Sequence, residues 1–137
     1  MACKWWKCDL QVATPAWNFK MPTGDTYDLS LETGRKAFAE RYIAELVSKG
    51  VEVVVLADHN TGDWVDIMVE EGQKQGVCVF PGCEITTGSG ADGIHLVVIG
   101  DHGKTSRDFD VLLGGVLGFT EPNYPRFHQH DKTKVPG

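Results

Sequence analysis

The run Val51-Glu52-Val53-Val54-Val55-Leu56-Ala57 constrains this chain more than any other stretch. Its β-branched residues follow one another instead of alternating with polar ones, so a strand built from them cannot leave either face to water. Strands of that kind belong to parallel sheets covered on both sides. Before the run, Phe38, Tyr42, Ile43, Leu46 and Val47 recur at helical spacing from about Gly34 to Lys49, and Gly50 supplies a C-terminal stop. After it comes Asp58-His59-Asn60-Thr61-Gly62. A second helix is predicted from Asp63 to about Gln75, with Trp64, Ile67 and Met68 on one face and Asn60, Thr61 or Asp63 as candidate caps. Gly76 ends it, and Val77-Cys78-Val79-Phe80 is a short buried strand. This alternation implies βαβ units with parallel strands and right-handed crossovers.

The remaining elements fit around that centre. A first strand runs from Trp5 to Ala13 and is closed by Thr14-Pro15, because proline pushes its predecessor toward extended geometry. A loop containing Pro22, Gly24 and Asp25 follows. Gly82 to Gly93 reads as a loop leading into a fourth strand, Ile94 to Gly100, and a third helix is expected within Ser106 to Leu113. Beyond Gly118 the chain becomes Pro-, His- and Lys-rich. The predicted division is therefore a domain over residues 1–118 and an extended polar tail over 119–137, continuing into further sequence.

With 137 residues, 42% of them apolar, the chain suits one globular domain and neither two domains nor a disordered acidic segment. A net charge of −6 gives no global field to attract nucleic acid, which demotes basic-patch binding. Apolar stretches such as Val53 to Ala57 are too short to cross a bilayer, and the N-terminus lacks a secretory signal. A cytoplasmic protein with no membrane partner is expected. Cys3, Cys8, Cys78 and Cys83 form two pairs with four residues between members. Buried or semi-buried free thiols are the favoured reading, with a zinc site and a disulfide as alternatives.

In parallel α/β architectures, ligand-binding side chains gather at the C-terminal ends of strands. Asp58 and His59 follow one strand, Glu84 follows another, and Asp9 and Gln11 lie near the end of the first. Carboxylate plus imidazole is a ligand set for zinc, manganese or iron. Each group also has a purely structural reading. Asp58 to Gly62 could be a cap and turn, Glu84 a solvated loop carboxylate, and His95 a hydrogen-bonded core histidine. His102, His128 and His130 read as exposed loop or tail residues. Gly88-Ser89-Gly90 has no Gly-Lys-Ser/Thr after it and reads as a flexible turn, not a phosphate-binding loop.

Cys8-Asp9-Leu10-Gln11-Val12-Ala13-Thr14, then Leu56-Ala57-Asp58-His59-Asn60-Thr61, then Pro81-Gly82-Cys83-Glu84, then His95-Leu96, resemble the ordered motifs of the PHP (polymerase and histidinol phosphatase) superfamily. The resemblance spans residues 5 to 100 or so and looks most like the subgroup in which a PHP domain precedes a large ATPase region. It implies a partial, distorted (β/α)7 barrel with mainly parallel strands, and a metal-dependent phosphoesterase that hydrolyses a phosphate ester with metal-activated water. It assigns His59, Glu84 and His95 as ligands to Mn²⁺, Zn²⁺ or Fe²⁺, with Asp9, Asp58 and Gln11 as further metal-site residues and His59 and Glu84 as catalytic.

The chain also departs from the family. The first family motif is Asp-Leu-His-x-His-Thr, and here Gln11 and Ala13 replace both histidines. The alternative is thus a degenerate PHP module, catalytically weak or inactive, serving as a scaffold or regulatory domain beside an ATPase. Expected partners are a phosphate-ester substrate, including nucleic acid or nucleotide, and either a second copy of the chain or a C-terminal ATPase region. A (β/α) barrel takes about 250 residues typically and roughly 200 at the small end, so this length implies the N-terminal part of a larger protein.

Overall fold

The computed structural model describes residues 4–17, 19, 21, 24–87 and 94–119. Among the described residues five strands form: β1 (Cys8–Val12), β2 (Val53–Leu56), β3 (Cys78–Phe80), β4 (Gly82–Thr87) and β5 (Ile94–Ile99). The helices are α1 (Glu32–Ser48), α2 (Val65–Gln75) and α3 (Ser106–Asp110), the last running on into a wider π-helical turn at Val111–Val116. The expected tail beyond Phe119, Cys3, His128, His130 and the Gly88–Gly93 stretch lie outside the described residues.

β1, β2 and β3 make a parallel sheet in that order, with Val54 opposite Asp9 on one side and Val79 on the other. The predicted βαβ units are therefore present. Helices α1 and α2 cover one face, where Phe38, Ile43 and Leu46 of α1 and Val65 and Met68 of α2 join Val54, Leu56 and Val79 in the core. The approach of α2 to the sheet requires a residue without a side chain at Gly72. A Cβ there would lie 2.4 Å from Val79 Cγ2 and 2.8 Å from the Val77 carbonyl oxygen. Both helices end as the glycines suggested, with Gly50 at φ 70° and Gly76 at φ 80°.

Three expectations are corrected. Gly82 to Thr87 is strand β4, not loop, and it pairs antiparallel with β5, Glu84 opposite Val97 and Thr86 opposite His95. Only six residues separate β4 from β5, whereas a crossover to a parallel strand takes a dozen or more, and the fourth predicted strand accordingly runs antiparallel. The start of α2 has no side-chain cap: Trp64 occupies the cap position, and the Thr61 hydroxyl instead accepts from the Asp63 amide at 3.2 Å. Cys8, expected to be at least half-buried, is exposed on β1, whereas Cys78 is half-buried and Cys83 buried, all three as free thiols.

The hairpin joins the parallel sheet through the chain just past β2. The Glu84 amide donates to the Asp58 carbonyl at 2.9 Å, and the Asn60 amide donates to the Glu84 carbonyl at 2.7 Å. Among the described residues no barrel closes. Strand β5 leaves Ile94, Leu96 and Ile99 exposed, and Leu10 on β1 is exposed as well. β1 and β5 also lie at sheet ends among the described strands, where the backbone can accept a further strand. No helix among the described residues is long and apolar enough to cross a membrane.

Candidate metal centre

The site is built where β2 ends and β4 passes beside it. Asn60 takes a left-handed backbone conformation, φ 51°, which asparagine tolerates better than branched residues. Its buried side-chain oxygen accepts from the Thr86 amide at 3.1 Å. These bonds hold the Asp58–Asn60 turn against β4 and set His59 beside Glu84. Alternation along β4 sends Cys83 and Ile85 into the core and Glu84 to the other face. Gly82 lets the strand come in close: a Cβ there would lie 2.4 Å from the Leu56 carbonyl oxygen.

Glu84 is the hub. Its side chain is 2% exposed, His59 Nε2 lies 3.0 Å from Oε1, and His95 Nδ1 contacts the same oxygen from β5. One ligand atom from each of His59, Glu84 and His95 falls within 4.8 Å of the others. The second oxygen, Oε2, accepts a hydrogen bond from Gln11 Nε2 at 2.8 Å. His95 is half-exposed, so the cluster opens to solvent on that side.

Burial works against ionising Glu84, but hydrogen bonds from His95 and Gln11, together with the charges of the two histidines, outweigh it and hold the carboxyl below its usual range. For His59, burial favours the neutral ring; the Glu84 charge opposes this and His95 reinforces it, leaving the pKa lowered. A carboxylate beside a neutral imidazole is the protonation state that metal binding requires. The Thr86 hydroxyl lies 3.1 Å from His59 Nδ1 and can donate to that nitrogen or accept from it. It therefore accommodates either tautomer, including the one with Nδ1 protonated and Nε2 bare as a ligand.

The other predicted site residues take different places. Asp58 is 2% exposed and accepts from the Thr14 amide and the Thr14 hydroxyl, both at 2.7 Å. Burial raises its pKa to about 6 against the two Thr14 bonds, which pull it down. It thus braces the junction between β1 and the turn after β2. Asp9 is exposed and accepts from the Gln11 amide at 3.1 Å. Gln11 reaches the cluster, as its place in the first motif suggested, whereas no described contact links Ala13 to it. His102 lies elsewhere, against Cys78 and Phe80. Thr86 and Thr14 carry the supporting bonds that the sequence reading did not assign. Thr86 had a legible signal, since it stands two residues after Glu84 and so on the same face of a strand.

A cleft of about 360 Å³ between β5 and α3, lined by Val98, Lys104, Phe109 and Val116, includes none of these residues. The donor set at Glu84 is two imidazole nitrogens and one carboxylate oxygen, the composition found for zinc and other first-row ions with an open position left for water or substrate. The residues present fit a divalent metal ion.

No family model and no curated protein matches the sequence. Among solved structures, the chain resembles a protein from Bifidobacterium adolescentis described as a metal-dependent phosphoesterase, with a TM-score of 0.50 and 18% identity over 69% of this chain and 27% of that one. It also resembles an amidohydrolase from Chromobacterium violaceum, solved with bound sulfate and no metal, with a TM-score of 0.52 and 16% identity over 82% of this chain and 34% of that one. The chain thus spans about a third or less of the length of these proteins. At such identity the likeness is one of fold: the parallel α/β unit described here has the backbone arrangement of part of a metal-hydrolase fold.

Proposed function

We propose that this chain is the N-terminal part of a PHP-type metal-dependent phosphoesterase, with His59, Glu84 and His95 as the protein ligands of a divalent ion, Mn²⁺, Zn²⁺ or Fe²⁺. The observation that carries the proposal is the convergence of two imidazole nitrogens on one buried carboxylate oxygen at the C-terminal side of a parallel sheet. An ion held there would polarise a phosphoryl oxygen and acidify a water molecule. The chain's own residues prepare for it: Gln11 fixes the second Glu84 oxygen, Thr86 fixes the His59 ring, and Asp58 with Thr14 holds the turn that presents His59. In the reaction, water adds to phosphorus, the ester P–O bond breaks, and the leaving oxygen takes a proton to give an alcohol and a phosphate.

Further βα units in the intact protein would cover the exposed residues of β1 and β5 and supply more ligands, and the subgroup resembled points to an ATPase region after them. The free thiols suit a reducing compartment, and we take the protein to be cytoplasmic. The proposal is tested by assaying a generic phosphodiester, bis-p-nitrophenyl phosphate, with added manganese. His59→Ala and Glu84→Ala are each expected to lower the rate by about 100-fold, since metal-site groups act as a unit. Equal metal-dependent rates in all three proteins would overturn it. A native chain that neither binds a transition metal at micromolar levels nor turns the ester over would instead favour the degenerate scaffold, a reading that Gln11 and Ala13 in place of the two first-motif histidines support.

A further inference from the structure

We propose that Cys78 and His102 form a thiol–imidazole pair that makes Cys78 a site of mixed-disulfide formation with low-molecular-weight disulfides. Cys78 Sγ lies 3.5 Å from His102 Nε2, within hydrogen-bonding range for sulfur. Both partners are held. The Cys78 amide donates to the Glu52 carbonyl at 2.9 Å, fixing the residue at the start of β3. His102 follows β5, whose end is tied down by the Gly100 amide donating to the Pro81 carbonyl at 2.7 Å. The His102 amide donates to Asp101 Oδ1 at 2.8 Å, and its ring lies tilted against Phe80 at 5.1 Å.

The other described thiols have different surroundings. Cys83 is fully buried, and burial, with the charge of Asp58 adding to it, pushes its pKa up to about 12, so it stays a thiol. Cys8 is exposed, but its thiol donates to the Trp6 carbonyl, which cannot take up a proton. Cys78 combines partial exposure with a neighbouring base, and the thiolate, not the thiol, is the nucleophile. In the reaction His102 Nε2 takes the Cys78 proton and the sulfur attacks one sulfur of the small disulfide. The S–S bond breaks, and the departing thiolate recovers the proton from the imidazolium. Cys78 is oxidised to a mixed disulfide, and half of the small disulfide is reduced to a thiol. The pair sits at the other end of the β3–β4 segment from Glu84, about 20 Å away along an extended chain. It thus stands apart from the metal centre.

The test is a time course of the whole chain with oxidised glutathione, followed by peptide mass mapping of each cysteine. Cys78 is expected to react about ten-fold faster than Cys8 although Cys8 is the more exposed, and His102→Ala is expected to slow Cys78 by about five-fold while leaving Cys8 unchanged. His102→Gln, which keeps bulk but not basicity, should behave as the alanine variant does. Reactivity set by access alone would rise when the ring is removed. A rise or no change at Cys78 in His102→Ala, or a Cys8 that reacts as fast as Cys78, would overturn the proposal.

Discussion

Zinc or manganese added to chelator-treated protein at about 100 times its dissociation constant is expected to raise the unfolding free energy by about 2.7 kcal/mol, or roughly 10 °C in Tm. Binding and folding are linked here, because the ligands come from β4, β5 and the turn after β2, and only the folded chain brings them together. Glu84→Ala should abolish the shift, because Oε1 is the atom both imidazoles meet. The variant should still fold, since the amide and carbonyl of residue 84 bind Asp58 and Asn60 whatever its side chain. Gln11→His is expected to tighten binding by about ten-fold, as residue 11 already reaches Glu84 and an imidazole is a better ligand than a carboxamide. A shift of equal size in the native and Glu84→Ala proteins would place the ion elsewhere.

The second large effect is at Asp58. Its carboxyl is buried and ionises at about 6 in the folded chain, against an ordinary value of 3.8. Between these two values the unfolded chain has lost the proton and the folded chain keeps it. The folded state then binds more protons, and stability falls as pH rises across that window. The total loss above it is about 3 kcal/mol. Asp58→Asn carries no charge at any of these pH values. Its carboxamide can still accept from the Thr14 amide and donate to the Thr14 hydroxyl oxygen, where the native carboxylate accepts both bonds. With chelator present, Asp58→Asn is expected to match the native protein near pH 4 and to exceed it by up to ~3 kcal/mol at pH 8. Carboxylates common to both proteins cancel in the difference. Urea titrations over this range check it, and parallel stability curves would contradict it.

The parallel half of the fold was legible because its residues leave little choice. The Val51–Ala57 run admits only a buried strand, and α1 and α2 carry one-sided apolar spacing closed by Gly50 and Gly76. The hairpin was not legible, for a physical reason. β4 opens with glycine and carries threonines and a glutamate, so it looks like a loop, yet it alternates Cys83 and Ile85 on the core face with Glu84 and Thr86 on the face that carries the site. What makes it a strand is tertiary: it is bonded to the turn after β2 on one side and to β5 on the other.

At the site, the order of Asp58, His59, Glu84 and His95 along the chain was readable as a motif, but their division of labour was not. His59, Glu84 and His95 converge, whereas Asp58 turns toward Thr14. Gln11, expected as a further metal-site residue, reaches the cluster through its amide nitrogen, which donates to Glu84. Those distinctions depend on which way each side chain leaves the backbone, and strand ends do not encode that locally.

X-ray absorption at the zinc edge of the zinc-loaded chain tests the central assignment most directly. Coordination by His59, Glu84 and His95 is expected to give a first shell of nitrogen and oxygen at about 2.0–2.2 Å with two imidazole scattering signatures. Sulfur at about 2.3 Å would instead put the ion on cysteine and contradict the site described here.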